Sequence, residues 1–274
     1  MTDAYLGRFS EYCADGHFFE SVIQGIYECY VQPGEVVVDA GANRGRHTFP
    51  LCTIVGAQGR VHAVEPIPAL AHNLRQAQAQ FPQLAVVESA LTNFSGNTQF
   101  HHVKNSDYFS GISQCQYPFT PEIEVLTVPA KRLDEVISDR ERVTFIKMDL
   151  EGGEFAALQG ARRILDRDRP LVVFEHAGLY RSVYYNYSVF DIEAFWHGLG
   201  YRLVDLFGRP MGGKRLESWP VWYLVASGSE RSHTLTENLQ VPLILAAQAF
   251  ERQKQGLDLS SAGAIAPPRW VAAQ

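Results

Sequence analysis

Hydrophobic positions follow two rhythms along this chain. Phe18, Phe19, Val22, Ile23, Ile26 and Tyr27 recur at helical spacing, which predicts a helical lead-in over about residues 5 to 30, closed by Pro33-Gly34. The run Val36-Val37-Val38 is short, β-branched and apolar on both faces, as a buried parallel strand requires, and Asp39 with a glycine-rich turn follows it. A helix over 44–55, a strand over 60–64, a helix over 69–80 and a strand over 85–88 continue the alternation. Beyond Ser95-Gly96 short alternating stretches surround an aromatic middle, predicting a β-rich insertion at about 97–130. Strand 143–148, helix 154–165, strand 171–174 and helix 190–199 restore the first rhythm. Strands over 201–206 and 221–225 come next, joined by the hairpin-like stretch GRPMGGKRLESWP, and a last helix runs over about 242–254.

Repeated strand-helix-strand units imply right-handed crossovers and a mainly parallel sheet. The expected fold is therefore α/β and Rossmann-like, with seven strands, an antiparallel last strand, helices on both faces and the β-rich insertion. The expected division is a helical lead-in at 1–32, a central domain at 33–228, and a C-terminal helix and tail at 229–274.

Composition narrows the classes of partner. A chain that is 46% hydrophobic and 20% charged buries a sizeable core, and a net charge of -6 offers no general basic surface for nucleic acid. A small-molecule or peptide acceptor is the better match. Cys13, Cys29, Cys52 and Cys115 are widely spaced without a CxxC pair, which reads as reduced thiols in a cytoplasmic protein. The chain opens with no basic stretch leading into an apolar run, and nowhere do about 18 apolar residues occur together, so neither a signal peptide nor a membrane partner is expected. The terminal helices offer a surface for a homo-oligomer.

The loop Asp39-Ala40-Gly41-Ala42-Asn43-Arg44-Gly45 lies between a buried strand and a helix. Small residues there let the backbone approach a ligand, and the helix start presents free N–H groups to a carboxylate or phosphate. Its spacing is neither GxGxxG nor GxxxxGK[ST], which favours a carboxylate. Glu65, followed by Pro66, closes the next strand, where a carboxylate can accept both hydroxyls of a ribose. A ribose plus an amino-acid carboxylate describes S-adenosylmethionine.

Taken with VHAVEPIP, ALTNFSG and the block Phe145-Ile146-Lys147-Met148-Asp149-Leu150-Glu151-Gly152-Gly153-Glu154, the loop resembles the FkbM-type methyltransferases, class I enzymes of the Rossmann-like group. The resemblance covers about residues 16–226. It implies that Asp39, Gly41, Asn43 and Gly45 hold the methionine moiety, with His47 and Thr48 near its carboxylate. Glu65 and Pro66 then take the ribose, and Ser89 and Ala90 flank the adenine. Asp149 and Glu151 lie at the sheet's ligand edge, which points to a role near the sulfonium or the acceptor. Arg44 and Arg46 stand where many relatives carry other residue types, and either could reach the acceptor.

An alcohol acceptor must lose a proton, and a histidine at a strand end is the economical base. His176 is therefore the leading catalytic residue, with Asp149 and Glu151 beside it and Glu175 able to orient or replace it. Asp149, Glu151 and His176 could instead hold a divalent ion, although no resident metal is expected. His101 and His102, adjacent on a strand, point to opposite faces and do not share a ligand. The aromatic segment Tyr180 to Tyr187 is a candidate lid. The expected reaction is O-methylation of a small-molecule hydroxyl in sugar or natural-product tailoring. N-methylation of an amide or amine, or an inactive S-adenosylmethionine-binding module, are the alternatives.

Overall fold

The computed structural model describes residues 16–176, 184–218 and 223–254. Helix α1 (Gly16–Tyr30) leads into β1 (Val36–Ala40), α2 (Thr48–Val55), β2 (Arg60–Val64), α3 (Pro68–Gln76) and β3 (Leu84–Val87). The insertion contributes β4 (Ala90–Leu91), β5 (Gly96–Val103) and β6 (Ile123–Lys131). After α4 (Leu133–Val136) come β7 (Val143–Met148), α5 (Glu154–Gln159), α6 (Arg162–Asp168), β8 (Leu171–Glu175) and α7 (Val189–Gly198). The chain continues through β9 (Arg202–Asp205), α8 (Lys214–Ser218), β10 (Tyr223–Ser227), α9 (Glu230–Thr236) and α10 (Gln240–Lys254).

The main sheet has seven strands in the order β3-β2-β1-β7-β8-β10-β9, and β4, β6 and β5 form a separate three-stranded sheet. Pairing is parallel from β3 to β8, while β10 runs antiparallel to both β8 and β9. The expected α/β, Rossmann-like arrangement with an antiparallel last strand is present. Because the chain moves outward from β1 to β3 and then returns to place β7 on the other side of β1, a crevice opens at the carboxyl ends of β1 and β7.

Strand parity sorts the interior into two cores. Val37, Phe145, Val173 and Val225 face α1, α2, α9 and α10, whereas Val38, Ile146, Val172 and Leu224 face α5 to α8. The lead-in helix and the C-terminal segment thus share the first core with the sheet, so 32/33 and 228/229 are not boundaries between cores. Over Leu243 to Ala247, α10 enters the same core as α1, the surface the sequence offers to a neighbouring copy.

Several element boundaries moved for identifiable reasons. The helix expected from residue 44 begins at Thr48, because Asn43 (φ 47°) and Gly45 (φ 86°) hold the loop outside helical geometry; Pro50 falls in the first turn, where its missing N–H costs nothing. The helix expected over 154–165 divides at Gly160, where any side chain would collide with the Thr92 carbonyl. The connection from β9 to β10 is not a simple hairpin, since it carries α8. No described helix is long and apolar enough to cross a membrane.

If α1 belongs to the core, truncating Ile23, fully buried in it, should destabilise strongly. Ile23→Ala is expected to lower the free energy of unfolding in urea by about 2–5 kcal/mol. A change below about 0.5 kcal/mol, typical of surface positions, would mean that the helix is an appendage.

Candidate active site

At the crevice lies a cavity of about 650 Å³, within the size range of small-ligand pockets. Its first wall is the loop after β1. Gly41 has φ +76°, and a Cβ there would lie 1.9 Å from the Asp149 carbonyl oxygen, so only glycine lets the β1 and β7 turns pass each other. Asn43 and Glu151 also have positive φ, a conformation that costs a non-glycine residue about 1–3 kcal/mol and often marks a functional turn.

Glu65, at the end of β2, is buried and accepts hydrogen bonds from the backbone N–H groups of Asn43 and Ile67, each at 2.8 Å. Burial pushes its carboxyl up to about 7 despite those two donors. Farther along, Ile67, Ala90, Leu91, Phe100 and Ile112 make an apolar slot, to which the insertion supplies the last four. Ser89 Oγ is buried there without a hydrogen-bond partner, as is Asn43 Oδ1 at the loop.

The opposite end is charged. Asp39, Lys147, Glu175 and Tyr223 fall on one face of the sheet, since Asp39 is level with Lys147, Lys147 with Val173 two residues before Glu175, and Tyr223 with Glu175. The buried Lys147 Nζ lies 3.4 Å from Asp149 Oδ2, 3.5 Å from the Gly41 carbonyl oxygen and 3.9 Å from Asp39 Oδ1. Burial opposes its charge, but Asp149, Asp39 and Glu20 outweigh burial and keep Lys147 protonated. Glu20 enters from α1, accepting from His47 Nε2 at 2.6 Å, Arg46 Nε at 3.1 Å and the Tyr223 hydroxyl at 3.1 Å. Although burial works against it, the His47 hydrogen bond and the Lys147 charge bring the Glu20 carboxyl down to about 2.

An apolar slot, a buried carboxylate at the end of β2 and a charged end in one crevice match what a nucleoside joined to an amino acid requires. The Methyltransferase FkbM domain matches residues 39–203. The chain belongs to the FkbM methyltransferase family. Its donor is S-adenosylmethionine. The chain is 28% identical over 137 residues to a protein-L-isoaspartate O-methyltransferase of Aeropyrum pernix, a match covering 44% of this chain and 53% of that protein. In structure it is similar to the FkbM methyltransferase of Methylobacillus flagellatus, with 17% identity and a TM-score of 0.46 over 81% of this chain and 59% of that one. It is also similar to Aeropyrum pernix fibrillarin bound to S-adenosylmethionine, with 14% identity and a TM-score of 0.42 over 76% and 72%. The chain thus spans only about half to three fifths of the first two relatives.

Most of the residues expected from the sequence of this FkbM methyltransferase meet at the cavity. Gly41, Asn43, His47, Glu65, Pro66, Ser89, Ala90, Asp149 and Glu151 line it. Asp39 and Thr48 stand behind that lining, with the Thr48 hydroxyl donating to Asp39 Oδ2 at 2.6 Å, so Thr48 holds the loop rather than a ligand carboxylate. Gly45 is packed against the Phe49 ring and is likewise outside the lining. His47 reaches the cavity but is engaged by Glu20 and by the Tyr27 hydroxyl. Arg44 is paired with Asp107 at 2.5 Å, leaving Arg46 as the arginine that lines the cavity.

His176 is the main correction. Glu175 and His176 alternate at the end of β8; the first faces the cavity, whereas His176 turns to the other side of the sheet and bonds the Leu216 carbonyl at 3.2 Å through Nε2. Burial lowers its proton affinity further. The acidic trio is consequently Asp149, Glu151 and Glu175, with one ligand atom from each within 4.8 Å of the others. His102 pairs with Asp107 and His101 with the Ile112 carbonyl, consistent with opposite faces. Of the aromatic segment, residues 180–183 lie outside the described residues; Tyr185 packs on Gly152 and its hydroxyl accepts from the Ser113 N–H, so it braces the turn after β7 against the insertion.

Sequence reasoning missed Glu20 and Tyr223, and passed over Lys147. Two signals were available. Glu20 falls on the buried stripe of α1 with Ile23 and Tyr27, and Lys147 interrupts a strand whose other residues are nearly all apolar.

If Glu65 takes the ribose hydroxyls, as the family resemblance implies, donor binding depends on pH. Those hydroxyls require its ionised form, so binding would release a proton from a carboxyl that burial pushes up to about 7 in the free protein. Affinity for S-adenosylhomocysteine, measured by calorimetry, should rise between about pH 6 and pH 8, by up to about tenfold per unit below that value. Glu65→Gln should weaken binding and flatten the profile; an unchanged slope in that variant would remove Glu65 as its source.

Proposed function

We propose that this FkbM-family chain transfers the methyl group of S-adenosylmethionine to a hydroxyl oxygen of a small polar acceptor, such as a sugar or a natural product. The observation that carries the reading is the acidic mouth of the cavity, where Asp149, Glu151 and Glu175 converge beside the charged end of the donor site. Hydroxyl and ammonium groups donate hydrogen bonds to carboxylates, whereas an anionic acceptor would meet like charge. Similarity to a protein-L-isoaspartate O-methyltransferase therefore supports oxygen methylation but not a carboxylate acceptor. The net charge of -6 also disfavours nucleic acid.

The bound donor supplies an electrophilic methyl group on a sulfonium. In the proposed reaction the acceptor oxygen forms the new C–O bond as the S–C bond breaks, and the hydroxyl proton passes to Glu175, leaving S-adenosylhomocysteine. Positioning and exclusion of water supply the remaining acceleration. Glu151, in its positive-φ turn, orients the acceptor. Cys29 and Cys52 are buried free thiols, which suits a cytoplasmic setting.

With an identified hydroxyl acceptor, Glu175→Gln should lower kcat by about 10²-fold or more while retaining S-adenosylhomocysteine affinity, and His176→Ala should keep most activity. The reverse ranking would return the base to His176. EDTA should leave the rate unchanged; a loss restored by Mg²⁺ would make the acidic trio a metal site instead. Methyl mass appearing on an acceptor nitrogen would replace the hydroxyl reading.

A further inference from the structure

The charged end of the cavity has fewer hydrogen-bond donors than its carboxylates can use. The Tyr223 hydroxyl lies 3.1 Å from Glu20 Oε1 and 2.9 Å from Asp149 Oδ2. Burial, followed by the Asp149 and Glu20 charges, keeps this phenol protonated, so it carries one hydrogen. One hydrogen serves only one of two carboxylates at a time. Asp149 Oδ2 also has Lys147 Nζ at 3.4 Å, whereas among the described residues Glu20 Oε1 has no donor but Tyr223. Behind this pair Asp39 Oδ1 is buried with no hydrogen-bond partner.

Charge follows the same pattern as donor number. Among the described residues three carboxylates, Glu20, Asp39 and Asp149, share two fixed cations, Lys147 and Arg46, with the His47 ring also against Glu20. Glu20 and Arg46 both line the cavity and are paired to each other, an acid and a base side by side at one wall. An α-amino acid presents the complementary arrangement, an ammonium next to a carboxylate.

We propose that Glu20, on the lead-in helix, together with the Tyr223 hydroxyl, is the subsite that binds the methionyl ammonium group of S-adenosylmethionine, while Arg46 beside it faces the methionyl carboxylate. The ammonium brings three N–H donors and one positive charge to a wall where carboxylates outnumber the fixed cations and lack donors. His47 and Tyr27 hold Glu20 in place from behind: His47 bonds Glu20 Oε2, and the Tyr27 hydroxyl lies 3.3 Å from His47 Nδ1. The adenosine end rests on other elements, the loop after β1, the end of β2 and the insertion. Binding of the two ends can therefore be separated chemically.

The test compares three probes by calorimetry: S-adenosylhomocysteine, its analogue without the amino group, and 5′-methylthioadenosine, which lacks the whole amino-acid end. Glu20→Gln keeps the shape of the side chain and removes its charge. It should weaken S-adenosylhomocysteine by about tenfold or more, the scale of one lost charge-assisted hydrogen bond, while changing the other two by less than about twofold. Tyr223→Phe should weaken S-adenosylhomocysteine in the same selective way, with a smaller effect. Equal losses on all three probes would assign Glu20 a purely structural role and overturn the proposal, as would undiminished binding of S-adenosylhomocysteine. These outcomes are independent of the acceptor and of Glu175. Failure of the unsubstituted protein to bind S-adenosylhomocysteine would overturn the donor site as a whole.

Discussion

The site depends on a single buried cation. Lys147 stands in the middle of the sheet with Asp39 across from it on β1, Asp149 in the turn after β7 and Glu20 above it on α1. A buried ammonium is tolerated only when paired, and removing one partner of such a pair costs about 3–5 kcal/mol. Lys147 therefore constrains three segments far apart in sequence to meet. Without it, three carboxylates would crowd one crevice and repel each other; with it, the β1 loop, the β7 turn and the lead-in helix converge on one wall of the cavity.

That constraint explains why the terminal segments share the core of the central domain. A helix that only covered hydrophobic surface would have no reason to carry Glu20 on its buried stripe. Here α1 contributes both Ile23 and Tyr27 to the core and Glu20 to the cavity, so packing and site formation are one event. Tyr223 links the same helix to the β7 turn from β10, and Arg231 of α9 reaches back to Glu35 and the Tyr30 ring. Helices α1 and α9 and strand β10 thus close on one another around the charged end of the cavity.

The cavity wall nearest β1 to β3 was legible in the sequence because it follows consecutive strands. Gly41, Asn43, Glu65, Ser89 and Ala90 follow the ends of the successive strands β1, β2 and β3, and such strand ends carry local signals: small residues, an acid. The seven strands were legible for the same reason, each being a short apolar run. What escaped was set by tertiary packing. Phe100, Ile112 and Asp107 reach the cavity only because the insertion folds back on the β2 end, and Glu20 only because α1 docks on the sheet. The division of the helix after β7 came from contact between Gly160 and Thr92, which no local periodicity encodes.

Which residue at the end of β8 faces the cavity depended on parity. Successive residues of a strand point to opposite faces, so at the end of β8 either Glu175 or His176 can meet the ligand, but not both. Residue chemistry favours the histidine as a base; sheet register overrules it. Tyr223 is level with Glu175, and Lys147 with Val173, so the face carrying the charged row also carries Glu175 and excludes His176. The histidine instead joins the core beneath α8, where its imidazole meets the Leu216 carbonyl. A choice of catalytic group at a strand end is therefore a statement about register before it is one about chemistry, and here a one-residue step separates an acidic mouth from an imidazole base.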